Sequence, residues 1–311
     1  MKKHYKKEHE LEFKERFIEG QNIENPGVNR DFFWTVEEIR SFSTGEIIQK
    51  LHDFGVNLSI EQFLKDVKKF YSAEDLSNHW EEIYPICAQG LDADFIWMAA
   101  MVLWERLAPE IMNSERIDDL MQEGYDYMEI GESIKTCDMW FEVWEILKKR
   151  FIPDMKSIEE AERIFSGSQS LYSWSLDFAM ELGNAGLKDR SFYQKRIDYC
   201  REVCVLFPES DPSILCGIQM DEAESYFALN LVEEGEEAFK RVTQTYPDNA
   251  WGYIKWGDMY YMLPMNEQIP LDIDKAERIY RMALDKVVEE KEDVLERLKG
   301  LKEGKRRKRE P

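Results

Sequence analysis

Three cysteines near the middle of the chain are the first residues whose spacing could support chemistry. Cys200 and Cys204 lie one helical turn apart, and Cys216 follows in the next segment. Zinc sites usually need four nitrogen or sulfur ligands, supplied by C-x-x-C pairs or by histidines. Neither pattern is present, and the last of the four histidines is His79. We therefore expect three buried apolar thiols here, and neither a metal nor a cofactor.

An acidic segment, 113–132, is the second candidate for chemistry. Its carboxylates are Glu115, Asp118, Asp119, Glu123, Asp126, Glu129 and Glu132. A di-iron helical bundle would need Glu-x-x-His on two helices, which the sequence lacks. A glycosidase would need two carboxylates facing each other across a cleft, which composition alone does not supply. The segment predicts a solvated acidic face, and an enzyme or metal-dependent accessory at this helix stays as the alternative function.

Motifs for nucleophilic catalysis and nucleotide binding are absent from the sequence. It contains no G-x-S-x-G, no G-x-x-x-x-G-K-[ST] and no G-x-G-x-x-G. The first of these presents a serine nucleophile on a sharp turn, and the other two hold phosphates on backbone N–H groups. Their absence favours a protein that is not an enzyme.

The charge of the chain bears on its partners. It has 41 Lys+Arg and 63 Asp+Glu, a formal net charge of −22. Residues 302–311 are basic, so the rest of the chain is more acidic still. An acidic body repels phosphate backbones and attracts basic partners. Nucleic acid is therefore disfavoured as a partner, and contact through the basic tail remains a third hypothesis.

Cysteine usage and hydropathy predict a cytoplasmic protein with no membrane partner. Five cysteines, an odd number, argue against a disulfide framework. The N-terminal residues are basic but lack the apolar stretch of a secretory signal. The longest apolar run, Phe95–Trp104, is shorter than the ~20 residues that span a bilayer.

Almost every segment of the chain has the pattern of an α-helix, which predicts an all-α fold. Thr35 with Glu38, and Ser59 with Gln62, match the capping-box pattern at helix starts. A break between 151 and 168 suggests a domain boundary, although one continuous superhelix fits the pattern equally well. The predicted regions are a charged helix and linker at 1–30, a helical region at 31–152, a repeat domain at 153–300 and a basic tail at 301–311.

A 34-residue periodicity in the C-terminal half predicts stacked helical hairpins. Tetratricopeptide repeats place small residues where two helices approach closely and aromatic residues in the gaps between hairpins. The positions that match are Ala223, Tyr226, Gly235, Phe239, Trp256, Gly257, Tyr260, Ala276, Tyr280 and Ala283. They predict clear repeats at 216–249 and 250–288, a degenerate one at 169–209, and a capping helix at 288–299.

The first helix of each hairpin should line a concave groove. In this register, the positions that face inward are Met220, Glu224, Phe227, Trp251, Ile254, Asp258 and Tyr261. An acidic, aromatic groove of this kind suits a protein or peptide partner with basic and apolar side chains. In the alternative interpretation, Phe227 and Trp251 simply pack between neighbouring hairpins.

Seven segments carry a resemblance to a known family: Asp118–Tyr125, Trp140–Trp144, Gln169–Trp174, Met180–Gly186, Tyr246–Pro247, Trp251–Tyr253 and Trp256–Asp258. In these segments the chain resembles a bacterial group of tetratricopeptide-like proteins associated with the SEC-C motif. The resemblance implies the repeat fold over roughly residues 75–300. Members of the group often end in a C-x-C…C-[HC] zinc tail. This sequence has no cysteine after Cys216, so zinc binding is not carried over.

Overall fold

The chain is entirely helical wherever its structure is described. A computed structural model describes residues 34–165, 167–262, 269–286 and 290–307. Those ranges contain fifteen α-helices and one short 3-10 helix at Gly90–Asp92, and no strand. This confirms the all-α prediction. None of these helices is long and apolar enough to cross a membrane.

The predicted segment 1–30 and most of the long loop after Met262 lie outside the described residues. In chain order, the α-helices are α1 Val36–Ser41, α2 Thr44–Asp53, α3 Ile60–Asp66, α4 Ala73–Ile83, α5 Ala93–Leu107, α6 Ser114–Glu129, α7 Ser133–Lys148, α8 Ile158–Phe165, α9 Leu171–Lys188, α10 Ser191–Leu206, α11 Pro212–Ala228, α12 Val232–Thr245, α13 Ala250–Tyr261, α14 Ile273–Leu284 and α15 Lys291–Arg307.

Packing divides the chain into two compact units. The first holds the described residues up to Glu123 together with Arg163–Gln169, and the second holds Gly124–Glu162 and the chain from Ser170 onwards. The chain therefore passes between the units three times, after Glu123, after Glu162 and after Gln169. The predicted boundary region, 151–168, contains the second passage. The first lies inside α6, where an unbroken helical pattern gave no sign of it.

The first unit is built on α5, against which α1, α2 and α4 pack. Thr35 and Glu38 form the reciprocal cap that their spacing predicted at the start of α1. At the start of α3, the Ser59 hydroxyl accepts from the Gln62 backbone N–H. Such caps satisfy backbone groups that a helix end leaves without partners. They explain where these short helices begin.

The second unit contains three helical hairpins in sequence, α9–α10, α11–α12 and α13–α14, followed by α15. Within each hairpin the two helices pack together, and each hairpin contacts the next. The first helices of the hairpins, α9, α11 and α13, also contact one another in succession. Helix α7 precedes this row and contacts α9, and α15 follows it and contacts α13. This row of first helices is the surface on which the candidate site lies.

Three glycines allow the two helices of each hairpin to pack closely. Each of them lies where an aromatic ring of the partner helix contacts the backbone. An added Cβ would lie 2.6 Å from the Tyr193 ring at Gly186, 2.4 Å from the Phe227 ring at Gly235, and 2.2 Å from the Tyr280 ring at Gly257. Real Cβ atoms do not approach that closely, so only glycine fits. The predicted close approach of two helices at a small residue is confirmed at Gly257, but the ring beside it, Tyr280, lies within the same hairpin and not in the gap between hairpins.

The last helix differs from the predicted cap. We predicted a short helix at 288–299 followed by a solvated basic tail at 301–311. Instead, α15 runs from Lys291 to Arg307, and Leu301 is buried in the core of the second unit. The last helix therefore ends later than the predicted residue 299, and Leu301 belongs to the core and not to the tail. Val294, Leu298 and Leu301 share one apolar stripe, which extends the helix against α13 and α14.

Candidate functional site

A groove of about 450 Å³ opens on the row of first helices in the second unit. Helix α9 forms its apolar side, and α10, α11 and α13 supply its charged side. Its lining residues are Leu176, Asp177, Met180, Gly183, Asn184, Leu187, Arg196, Gly217, Asp221, Glu224 and Lys255. A volume of this size falls within the range of pockets that bind small ligands or side chains.

Apolar side chains on α9 stay uncovered at this groove. Met180 is 46% exposed and Leu187 is 74% exposed, while Leu176 is half-buried. Residues three or four apart in a helix share one face, so these three follow the same side of α9. The opposite face of α9 is occupied by Trp174 and Phe178, which are fully buried. Helix α9 is therefore apolar on both faces, and none of the described residues of the second unit covers the groove face.

Four charged side chains form a connected cluster on the other side of the groove. Asp221 Oδ1 lies 2.8 Å from Arg196 Nη2 and 3.2 Å from Lys255 Nζ. Glu224 lies 3.5 Å from Arg196 Nη1 and 3.1 Å from Lys255 Nζ. Two acids and two bases thus alternate around the cluster. Their charges cancel, so the predicted acidity of Glu224 is largely neutralised in the folded chain.

Both bases of the cluster keep their charge. Burial alone would lower the pKa of Arg196, but Asp221 and Glu224 outweigh it and raise that pKa above its usual value. The pKa of Lys255 is raised in the same way, against the effect of its burial. The two bases therefore stay charged and paired at neutral pH.

Gly183 makes room for the buried guanidinium. A Cβ at position 183 would lie 3.1 Å from Cζ of Arg196, closer than most side-chain contacts. Arg196 comes from α10 and reaches between the first helices to meet α11. Its Nε is buried without a hydrogen-bond partner among the residues that the structure describes. A buried donor without a partner is costly, so this edge of the groove is not fully satisfied by the protein itself.

Asp177 adds a third acid to the groove. One of its oxygens accepts a hydrogen bond of 2.9 Å from the Tyr125 hydroxyl. Burial, followed by the hydrogen bond and charge of Asp177, raises the pKa of Tyr125 well above its usual value, so this hydroxyl stays protonated. With Asp177 included, the lining holds three acids against two bases. The groove therefore carries a small negative excess.

Of the seven residues that the sequence predicted for the groove, the structure places Glu224 in its lining. Phe227 and Ile254 are fully buried, and Met220 is nearly so. The Phe227 ring centroid lies 5.6 Å from that of Tyr260 in an edge-to-face contact, which is the packing role that the alternative interpretation gave it. Phe227 thus belongs to the hairpin core and not to the groove surface.

Asp258, Tyr261 and Trp251 lie elsewhere on α13. Asp258 is buried and accepts hydrogen bonds from the Tyr280 hydroxyl and, at 3.1 Å, from Arg297 Nε. The Tyr261 hydroxyl donates to the Gly300 carbonyl at 3.1 Å. Because α15 packs where a further first helix would stand, it covers these inward positions. Trp251 is 38% exposed and does not line the groove.

Sequence reasoning missed Arg196, Asp221, Lys255 and the whole apolar face of α9. One signal was present for two of them: Lys255 follows Asp221 by 34 residues, the repeat length, so the two occupy equivalent positions of adjacent hairpins. Opposite charges at equivalent positions of stacked first helices should pair. Arg196 carried no comparable signal, because it reaches the groove from a second helix.

The cysteines show no sign of metal ligation. Cys200 and Cys216 are buried and Cys204 is half-buried. Burial raises the pKa of Cys204 and that of Cys216 to about 11, and raises the pKa of Cys200 as well. Thiols in such surroundings stay protonated and unreactive near neutral pH. No group of three metal-ligating side chains occurs among the described residues.

The acids of α6 serve as anchors for backbone N–H groups within the first unit. Glu115 accepts from the N–H groups of Ala73 and Glu74, at 3.0 Å each, and so caps α4. Asp118 accepts from the N–H groups of Ser168 at 2.9 Å and Gln169 at 3.0 Å. Both carboxylates therefore have structural partners, which differs from the solvated face that the sequence predicted at these two positions.

Comparisons with protein-family models, with curated proteins and with solved structures found no match to this chain. The resemblance to tetratricopeptide-like proteins of the SEC-C group stays a prediction.

Proposed function

We propose that this protein is a non-catalytic binding protein that takes an extended segment of a partner protein into the groove of its second unit. The observation that supports it best is the uncovered apolar face of α9 inside that groove, with Met180 and Leu187 exposed. Contiguous apolar side chains in a concave surface are typical of interaction sites, because water solvates them poorly.

The charges of the groove favour a partner segment with a basic side chain beside its apolar ones. The cluster around Arg196 is internally neutral, so it offers little net field. Asp177 supplies the negative excess and stands on α9 next to Leu176. A basic side chain of the partner that lies near Asp177 would be attracted by its charge, and the net negative charge of the whole chain acts in the same direction.

The superhelical fold and the cytoplasmic location are part of the same proposal. The glycine–ring pairs in three successive hairpins and the 34-residue register support a tetratricopeptide-like right-handed superhelix. All five cysteines are free of disulfides, which supports a reducing, cytoplasmic setting. The carboxylates of α6 do not support a second function, because Glu115 and Asp118 are engaged with backbone N–H groups.

Peptide selection followed by one substitution tests the proposal. Twelve-residue random peptides displayed on phage would be selected on the full chain, and the strongest synthesised. We expect Met180→Glu to weaken its binding by about tenfold or more, because a carboxylate replaces an apolar contact at the groove. Met282→Glu is the matched control: Met282 is 44% exposed, as Met180 is 46% exposed, but it lies outside the groove lining.

Two outcomes would contradict the proposal. Equal affinities for the wild-type chain and Met180→Glu would show that the groove is not the binding surface. Sedimentation that showed a dimer for the wild type and a monomer for Met180→Glu would assign the groove to a second copy of the chain instead.

A further inference from the structure

Gly217 stands on the floor of the groove, in the interior of α11. An added Cβ there would meet a single neighbour, Cδ2 of Leu176 at 3.4 Å, which is an ordinary van der Waals contact. Alanine therefore fits at this position. Glycine in a helix interior destabilises the helix relative to alanine, so packing alone gives no reason for its presence.

The other glycines of these hairpins show the contrast. Gly186, Gly235 and Gly257 each face a ring at less than 2.7 Å from an added Cβ, so their lack of a side chain serves the fold. At the position of the next hairpin equivalent to Gly217, the chain has Trp251. At Gly217 itself, an added Cβ would have only Leu176 within 4 Å, so the space beside this glycine is part of the groove.

We propose that this space is the pocket for an aromatic anchor residue of the partner segment. The inference rests on the proposed function and names the side chain that the groove recognises. Interfaces concentrate their binding energy in such anchors, which are large side chains inserted into a desolvated pocket. The absence of a side chain at Gly217 makes the pocket deeper. A planar ring fits such a pocket well when its edges contact apolar side chains.

The walls around Gly217 suit an aromatic ring more than an aliphatic chain. Leu176 and Met180 provide apolar contacts, and a methionine sulfur favours the edge of a ring. On the other side stands Lys255, whose side chain is 30% exposed and whose ammonium an aromatic face attracts. An aliphatic side chain would desolvate that ammonium without offering that attraction. The mixed lining thus selects for tryptophan, tyrosine or phenylalanine.

A single methyl group on the pocket floor tests this inference without disturbing the fold. Gly217→Ala is expected to keep or raise the midpoint of thermal unfolding, since alanine fits and favours the helix. It should weaken the selected peptide by about fivefold or more, because the methyl fills the depth that the anchor needs. Gly300→Ala is the matched control, since a Cβ there meets nothing within 4 Å and lies in α15, away from the groove.

Changing the anchor in the peptide completes the test. Replacing its aromatic residue by alanine should cost the wild-type chain about thirtyfold in affinity, as for a hot-spot residue. The same replacement should cost Gly217→Ala much less, because the anchor is already displaced there; such non-additivity identifies direct contact. Cyclohexylalanine at the anchor should bind more weakly than phenylalanine.

The results separate this inference from the function on which it rests. If Met180→Glu weakens the peptide but Gly217→Ala does not, the groove stands and the anchor pocket is wrong. Selected peptides with aliphatic anchors, or cyclohexylalanine binding as well as phenylalanine, would also overturn the aromatic assignment. If neither variant changes affinity, both proposals fail together.

Discussion

The residues of the groove depend on one another through charge. Arg196 and Lys255 are buried or partly buried beside Asp221 and Glu224, and each base contacts both acids. Bringing four charges out of water is costly, and their pairing offsets that cost only while the set is complete. The cluster therefore constrains how α10, α11 and α13 meet, more than it adds net stability.

Loss of Arg196 should be severe for this reason. We expect Arg196→Met to lower the free energy of unfolding by about 3–5 kcal/mol, because two buried carboxylates would share Lys255 alone. Lys195→Met is the matched control on the same helix: Lys195 is exposed and its ammonium lies over the Phe192 ring, so its loss should cost less than about 1 kcal/mol. Urea unfolding measures both values, and equal losses would contradict the account.

Thiol chemistry gives a second prediction at this scale. Cys87 is exposed, whereas burial raises the pKa of Cys137 and Cys200 well above the ordinary value. Because the thiolate is the reactive form, iodoacetamide at pH 8 should modify Cys87 first and the other two only on unfolding. Mass spectrometry of the labelled peptides reads this out. Rapid labelling of Cys200 in the folded chain would show that α10 is not packed as described.

Sequence reasoning identified Glu224 as a groove residue, but not the partners that neutralise it. Position within a repeat was used to predict which way a side chain points, and Glu224 follows that rule, whereas Met220, Phe227 and Ile254 are buried in the core. It does not predict a side chain that arrives from another helix, such as Arg196. It also fails at the end of an array, where α15 covers Asp258 and makes it a structural anchor.

At the scale of the element, glycine–ring pairs set the closeness of each hairpin. The sequence predicted that a small residue such as Gly257 marks a close helix contact, but it placed the aromatic rings between hairpins, whereas Tyr280 packs on Gly257 within one hairpin. The extent of α15 could not be predicted in the same way. Its basic composition indicated a solvated tail, while its apolar stripe, including Val294 and Leu301, finds a surface only in the folded second unit.

The hairpin α13–α14 should be intolerant of a single methyl group. In Gly257→Ala the new Cβ would lie 2.2 Å from Tyr280 Cε1, so the two helices must separate. We expect overpacking of this kind to cost about 1–3 kcal/mol in the free energy of unfolding. Gly300→Ala, with open space at its Cβ, should be neutral or stabilising by about 0.5–1 kcal/mol. A stable Gly257→Ala variant would contradict the close approach.

At the scale of the whole molecule, local pattern predicted helices well and their grouping less well. The all-α fold follows from periodicity, because each helix carries its own apolar stripe. The division into two units depends on contacts between distant segments: Arg163–Gln169 joins the first unit while its sequence neighbours belong to the second. The predicted break at 151–168 contains the entry at Arg163, whereas no local signal marks the passage inside α6 or the exit after Gln169.

The central claim is that the uncovered face of α9 binds a partner segment, and methionine methyl NMR tests it directly. The chain would be labelled at the methyl carbons of its 14 methionines, with the signal of Met180 assigned from Met180→Leu. Adding a selected peptide should shift the Met180 signal and leave those of Met262 and Met282 in place, although all three are exposed. A peptide that moves Met262 or Met282 while Met180 stays unchanged would contradict the account.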